Sequence, residues 1–203
     1  GVPGAGKSEL ARYLAKHLDR ELLVRRLSDI FDPYVGGTER NISQVFAEAE
    51  AEEAVLVIDE ADSLLFSREA AVRSWEISFT NEFLTQMERF RGILICTTNR
   101  FNGLDEASLR RFNHKVGFHA LTPGGVEIFY DRFLASLAGK TVQRGQRLRL
   151  RNIAELTPGD FKVVRDRYAF YPADQVSHEQ LIEDLQMESG LKLRHSKKKA
   201  IGF

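Results

Sequence analysis

This sequence predicts an α/β fold: a mostly parallel sheet layered between helices, followed by a small helical domain. Three observations predict it. Over the first two thirds, short strand-like apolar runs alternate with helical patterns, the order that produces parallel strands joined by crossover helices. One of those runs, Val55–Ile58, is continuously apolar, as a strand covered on both faces has to be. After Leu121-Thr122-Pro123-Gly124-Gly125 the strand signals stop and only helical patterns follow.

The elements come in order. A Gly-rich segment at 1–6 leads into a helix where Leu10, Leu14 and Leu18 recur at helical spacing. Leu22–Val24 is a short apolar run. Thr38–Ala51 places Ile42, Val45, Phe46 and Ala49 on one helical face, and Val55–Ile58 follows as a buried strand. Phe79, Phe83 and Met87 mark another helix, Gly92–Thr98 a third strand and Val116–Phe118 a fourth. Beyond the break, helices are predicted over Val126–Ala138, Phe161–Tyr168 and about His178–Ser189. The expected division is therefore an α/β subdomain at 1–121 and a helical subdomain at 122–203. The latter ends in a basic tail, Lys197-Lys198-Lys199, expected to be solvated.

Composition narrows the class. With 43% hydrophobic residues and 14 Phe the chain can build a sizeable core, which excludes wholesale disorder. Lys+Arg and Asp+Glu balance at 29 each, which argues against nucleic acid as a partner. Cys96, the only cysteine, has no internal disulfide partner and sits in an apolar run, so a cytoplasmic protein with a buried thiol is expected. No apolar stretch approaches the ~18 residues of a membrane-spanning segment. The five histidines (17, 114, 119, 178 and 195) show no metal-ligand spacing.

The first eight residues, Gly1-Val2-Pro3-Gly4-Ala5-Gly6-Lys7-Ser8, fit the phosphate-loop pattern G-x-x-x-x-G-K-[ST]. Glycines let backbone N–H groups curl around phosphate oxygens, and the following helix N-terminus adds its dipole. Lys7 is placed to reach the β- and γ-phosphates and the Ser8 hydroxyl to ligate Mg²⁺. A chance match in a chain this long is on the order of a 1% event. Val55-Leu56-Val57-Ile58-Asp59-Glu60 supplies the complement, a buried strand that emerges at its carboxyl end with two acids. Asp59 is placed to hold Mg²⁺, and Glu60 to orient and activate the attacking water. The pair of motifs predicts a P-loop NTPase three-layer sandwich.

Further motifs decide among P-loop proteins. Cys96-Thr97-Thr98-Asn99 ends the next apolar strand, and Leu104-Asp105-Glu106-Ala107-Ser108-Leu109-Arg110-Arg111-Phe112 follows. With Ile58-Asp59-Glu60-Ala61-Asp62, these resemble the AAA ATPases of the AAA+ class. The last motif is similar to the second region of homology of the microtubule-severing and related branches. The resemblance runs from Gly1 to about Phe161.

It implies a nucleotide site formed by Pro3, Gly4, Ala5, Gly6, Lys7, Ser8, Glu9 and Asp59, with Gly159 letting adenine approach the backbone of a helical lid. It implies Asn99 as sensor 1, which positions water between Glu60 and the γ-phosphate. Arg110 and Arg111 resemble arginine fingers that reach into a neighbour's ATP site. Tyr34-Val35-Gly36 resembles a first pore loop, and a second could lie near Arg68–Trp75. The implied cofactors are ATP and Mg²⁺. The implied assembly is a homo-oligomer, a hexamer, acting on a protein substrate.

There are departures. Arg110 and Arg111 are adjacent where the common pattern spaces its arginines with Pro-Gly. Gly36-Gly37-Thr38-Glu39 stands for Gly-Glu-Ser-Glu, and Pro158-Gly159-Asp160-Phe161 for Gly-Ala-Asp-Leu. Arg165 is a weak candidate for a sensor 2 arginine. Three functions stay open: a ring mechanoenzyme that remodels protein, a nucleotide-switched assembly or scaffold factor, and a DNA-associated loader. Glu60, Asn99 and the arginine pair favour the first, since a pure binding switch does not need them. The zero net charge and Tyr34 motif weigh against the third. A phosphate loop normally hangs from a preceding mid-sheet strand, and none precedes Gly1. We therefore expect a truncated sequence that lacks its first strand and, on its own, is a poor ATPase.

Overall fold

The chain runs α1 (Lys7–His17), β1 (Leu22–Arg26), α2 (Leu27–Ile30), α3 (Gly37–Ala51), β2 (Val55–Asp59), α4 (Asp62–Leu65), α5 (Ser74–Arg89), β3 (Ile93–Cys96) and α6 (Glu106–Leu109). It continues through α7 (Pro123–Phe133), α8 (Arg144–Arg151), α9 (Pro158–Arg167) and α10 (His178–Ile201). The computed structural model describes residues 1–65, 74–100 and 104–201. Contacts divide the chain into two units, Gly1 with Lys7–Gly117 and Val2–Gly6 with Phe118–Phe203.

In the first unit the described strands form a parallel sheet in the order β1-β2-β3. Leu22 pairs with Val55 and Val55 with Ile93, so β2 has a neighbour on each edge. Parallel strands need long crossovers; α3 lies in the first, α4 and α5 in the second. Successive strand residues point to opposite faces, and β2 shows what covers each. Leu56 and Ile58 enter a core with Ile42, Val45 and Phe46 of α3 and Phe79, Phe83 and Leu84 of α5. Val55 and Val57 face Ala11 and Ala15 of α1. Helices therefore cover both faces of β2, the predicted three-layer sandwich. Phe46 anchors the larger core, edge-to-face with Phe83 at 5.6 Å and Phe90 at 5.2 Å.

The second unit is helical around Val126, Tyr130, Leu150, Phe161, Leu181 and Leu185. Its entry follows capping chemistry: Thr122 Oγ1 accepts from Gly125 N–H at 3.2 Å, and Pro123 opens α7. The buried polar pair is satisfied. His178 Nε2 lies 2.6 Å from Lys140 O, which can only accept, so Nδ1 is left to accept from Tyr130 Oη at 2.7 Å. Burial pushes the Tyr130 phenol up from its ordinary value.

Four expectations change. Val116–Phe118 is not a strand: Val116 is 67% exposed, and Val2 N–H donates to Phe118 O at 3.2 Å without a ladder around it. The third strand is shorter than Gly92–Thr98, ending at Cys96. Helix α8 had no sequence counterpart, because Leu148 and Leu150 are its only apolar residues and Leu150 alone is buried. The last helix does not end near Ser189: α10 runs from His178 to Ile201.

The packing generates a test. Phe83→Ala, which empties a fully buried ring site, is expected to cost about 3–5 kcal/mol in urea-induced unfolding. Val116→Ala should stay within about 0.5 kcal/mol of wild type.

Candidate active site

The site begins where β2 stops being buried. Asp59 ends the strand, and Glu60 follows in the left-handed region with φ 56°, a conformation that costs an L-residue roughly 1–2 kcal/mol. Bonds to β3's continuation hold this corner. Thr97 N–H donates to Ile58 O at 3.0 Å, and Ala61 N–H to Thr97 O at 2.9 Å. Glu60 N–H donates to Thr97 Oγ1 at 3.3 Å, and that hydroxyl donates to Asp59 Oδ1. On the other side Arg26, the cross-strand partner of Asp59, brings Nε to 3.9 Å from Oδ2. Arg26, Leu27, Ser28, Phe31 and Glu60 line a cavity of about 350 Å³.

Lys7 opens α1 and reaches across the same end of the sheet. Its Nζ donates to Asn99 Oδ1 at 2.8 Å and to Gly1 O at 3.0 Å. Burial draws the Lys7 pKa down, against the opposing pull of the Asp59 carboxylate. Lys7, Asp59, Glu60 and Asn99, predicted from separate motifs, thus form one polar cluster.

In the helical unit, Gly4 (φ 72°) and Gly6 (φ 97°) take left-handed conformations that the loop needs. Gly159, in the first turn of α9, donates its N–H to Gly4 O at 2.9 Å. A Cβ on Gly159 would stand 3.0 Å from Gly4 Cα, so the backbones touch. The start of α9 is fixed by Asp160 Oδ2, which accepts from Thr157 N–H (2.7 Å), Thr157 Oγ1 (3.0 Å) and Lys192 Nζ (2.5 Å).

The other predicted residues lie as follows. Pro3 is exposed, Ala5 half-buried, and Ser8 is half-buried in the first turn of α1. Glu9 pairs with Arg12 at 2.5 Å on an exposed face. Arg110 pairs with Glu106 at 3.6 Å. Arg111 pairs with Glu88 at 2.5 Å and donates to Ala107 O at 2.8 Å. Tyr34 and Val35 project from the turn before α3, whose N-cap is Gly36. Arg165 lies over the Phe133 ring at 5.6 Å. Residues 68–73 of the second pore segment, Arg68–Trp75, lie outside the described residues.

Ser8 and Asp59 are hard oxygen donors of the kind Mg²⁺ takes, and it needs only one or two from protein. With Asp59 Oδ1 bonded to Thr97, Oδ2 is the oxygen the carboxylate can offer, so the donor set fits. Among the described residues no group of three His, Cys, Asp or Glu could hold a metal by itself. Sequence reasoning missed Thr97; its one signal was a second hydroxyl residue before Asn99.

The sequence model of the family described as "ATPase family associated with various cellular activities (AAA)" matches residues 1–120. The chain belongs to the AAA family. This AAA chain is 28% identical to spastin of Drosophila melanogaster over 193 residues, covering 89% of the chain and 25% of spastin. It is 35% identical to fidgetin-like protein 1 of the same species over 123 residues, covering 57% and 24% respectively. The AAA chain therefore matches about a quarter of the length of these relatives. The crystal structure of the FIGL-1 AAA domain in complex with ADP shares its fold, with a TM-score of 0.67 at 20% identity, covering 100% of this chain and 76% of that one. Family and fold are those the motifs predicted, and the family is a nucleotide-binding one. No helix among the described residues is long and apolar enough to cross a membrane.

Proposed function

We propose that the protein hydrolyses ATP with Mg²⁺ and, as a hexameric ring, uses the turnover to remodel a protein substrate. The observation that carries this reading is the 2.8 Å bond between Lys7 and Asn99 beside the Asp59–Thr97–Glu60 corner. A cation for phosphate oxygens, an amide that can hold water and a carboxylate that can take a proton stand at one end of the sheet. Membership of an ATPase family and the ADP bound by the FIGL-1 domain support it.

Backbone N–H groups of the glycine loop and the start of α1 cradle the phosphates. Lys7 Nζ moves from Asn99 to the β- and γ-oxygens, which frees the Asn99 amide to hold the attacking water. Glu60 accepts a proton from that water as it attacks the γ-phosphorus in line, while the bond from the γ-phosphorus to the β,γ-bridging oxygen breaks and ADP leaves opposite the incoming water. Ser8 and Asp59 would hold Mg²⁺, which would neutralise the negative charge that develops on the phosphates.

Arg110 and Arg111 differ in what engages them. The Arg110 side chain is 81% exposed, and its pair with Glu106 is a water-screened i,i+4 contact. Arg111 is 32% exposed and tied to Glu88 and Ala107 O. This supports Arg110 as the finger that stabilises charge in the neighbouring subunit's site, with Arg111 anchoring α6. Asp32 Oδ1 accepts from Tyr34 N–H at 2.8 Å, and Gly37 N–H donates to Tyr34 O at 3.0 Å. That turn holds Tyr34 79% exposed beside a fully exposed Val35, which supports a grip on an extended polypeptide.

Glu60→Gln should keep fluorescent ATP-analogue binding and lower steady-state turnover by at least about 10²-fold; unchanged turnover would remove Glu60 from the mechanism. Arg110→Ala and Lys7→Ala should each be inactive alone and recover activity when mixed, since each supplies what the other lacks. No recovery would deny Arg110 a role in trans. Tyr34→Ala should abolish stimulation of hydrolysis by denatured casein, and retained stimulation would remove the support for threading.

A further inference from the structure

We propose that Thr97 is a positioning residue for hydrolysis, its hydroxyl setting the Asp59 carboxylate and the Glu60 backbone together from the neighbouring strand. The inference rests on the hydrolytic reading above. Thr97 is 5% exposed and follows Cys96, the register partner of Ile58. A hydroxyl has one proton and two lone pairs. Here the proton goes to Asp59 Oδ1, and a lone pair accepts the Glu60 N–H. Main-chain bonds from Thr97 N–H to Ile58 O and from Ala61 N–H to Thr97 O clamp the same residue from both sides, so the hydroxyl cannot wander from the corner.

Each bond has a separate effect. A charge-assisted bond to Oδ1 orients the Asp59 carboxylate and leaves Oδ2 as the oxygen offered to an ion. The bond to the Glu60 amide stabilises the strained φ of 56° that turns the chain out of the sheet at the proposed base. Packing alone does not call for this residue, since valine fills a buried strand end with the same shape. Groups that hydrogen-bond a metal-binding side chain and fix its orientation typically change metal affinity or activity by about 10–100-fold. The segment after β3 that carries Asn99 thus also holds the Asp59 carboxylate and the Glu60 backbone.

The test compares wild type, Thr97→Val and Thr97→Ser in the full protein, with Thr97→Ala as the second hydroxyl-free variant should valine impair folding. Mn²⁺ is the metal probe, its affinity for the ADP-bound protein read by electron paramagnetic resonance, alongside ATP turnover and metal-free ADP affinity. Loss of the hydroxyl should weaken Mn²⁺ binding and lower kcat, each on the order of 10-fold. Metal-free ADP affinity should stay unchanged, and Thr97→Ser should restore both lost properties. A hydroxyl-free variant that only melts earlier, with Mn²⁺ affinity and kcat at wild-type levels, overturns the proposal. If wild type does not turn over ATP, the hydrolytic reading fails, while the Mn²⁺ comparison still decides the role of Thr97.

Discussion

Everything in the sheet unit depends on the enclosure of β2. The strand is paired on both edges and covered on both faces, so from Val55 to Ile58 neither its backbone nor its side chains meet water. An ionised group inside that run would be desolvated without compensation. Charge can enter only where the strand leaves the sandwich, and there Asp59 and Glu60 stand together. The acidic charge is concentrated at one point because the core allows it at no other along this strand.

Concentration creates its own difficulty, since close polar groups must be oriented as well as tolerated. The corner handles this by sharing. Thr97 serves Asp59 and Glu60, Asn99 serves Lys7, and Arg26 stands off the second oxygen of Asp59. Lys7 is drawn down in pKa by burial and pulled the other way by the Asp59 carboxylate. In the helical unit the same logic appears at Thr157, Asp160 and Lys192, which pin the start of α9 where Gly159 meets Gly4.

Much of this was legible in the sequence, for identifiable reasons. Val55–Ile58 reads as a buried strand because no polar residue interrupts it, and the phosphate loop reads because its glycines and lysine are needed at fixed spacing. Helix α8 was not legible: its sequence is mostly arginine and glutamine, and one buried leucine gives no period. Val116–Phe118 looked like a strand since apolar content carries no information about a pairing partner. Thr97 and the contrast between Arg110 and Arg111 escaped for a related reason. Their roles depend on the register of β3 against β2 and on the reach from Arg111 to Glu88, and such distances are set by tertiary packing.

The backbone at Glu60 carries a consequence for how this chain would drift. Glycine adopts φ 56° without the strain of roughly 1–2 kcal/mol that glutamate bears there. Its greater freedom in the unfolded chain costs about 0.5–1 kcal/mol in return, and the exposed Glu60 side chain has little packing to lose. The exchange is close to neutral for folding. A library sorted only for folded, soluble chains would let position 60 decay to glycine, with nothing in the melting curve to record it. Stability does not guard this carboxylate, and on the role proposed for Glu60 only a selection that reads turnover would retain it.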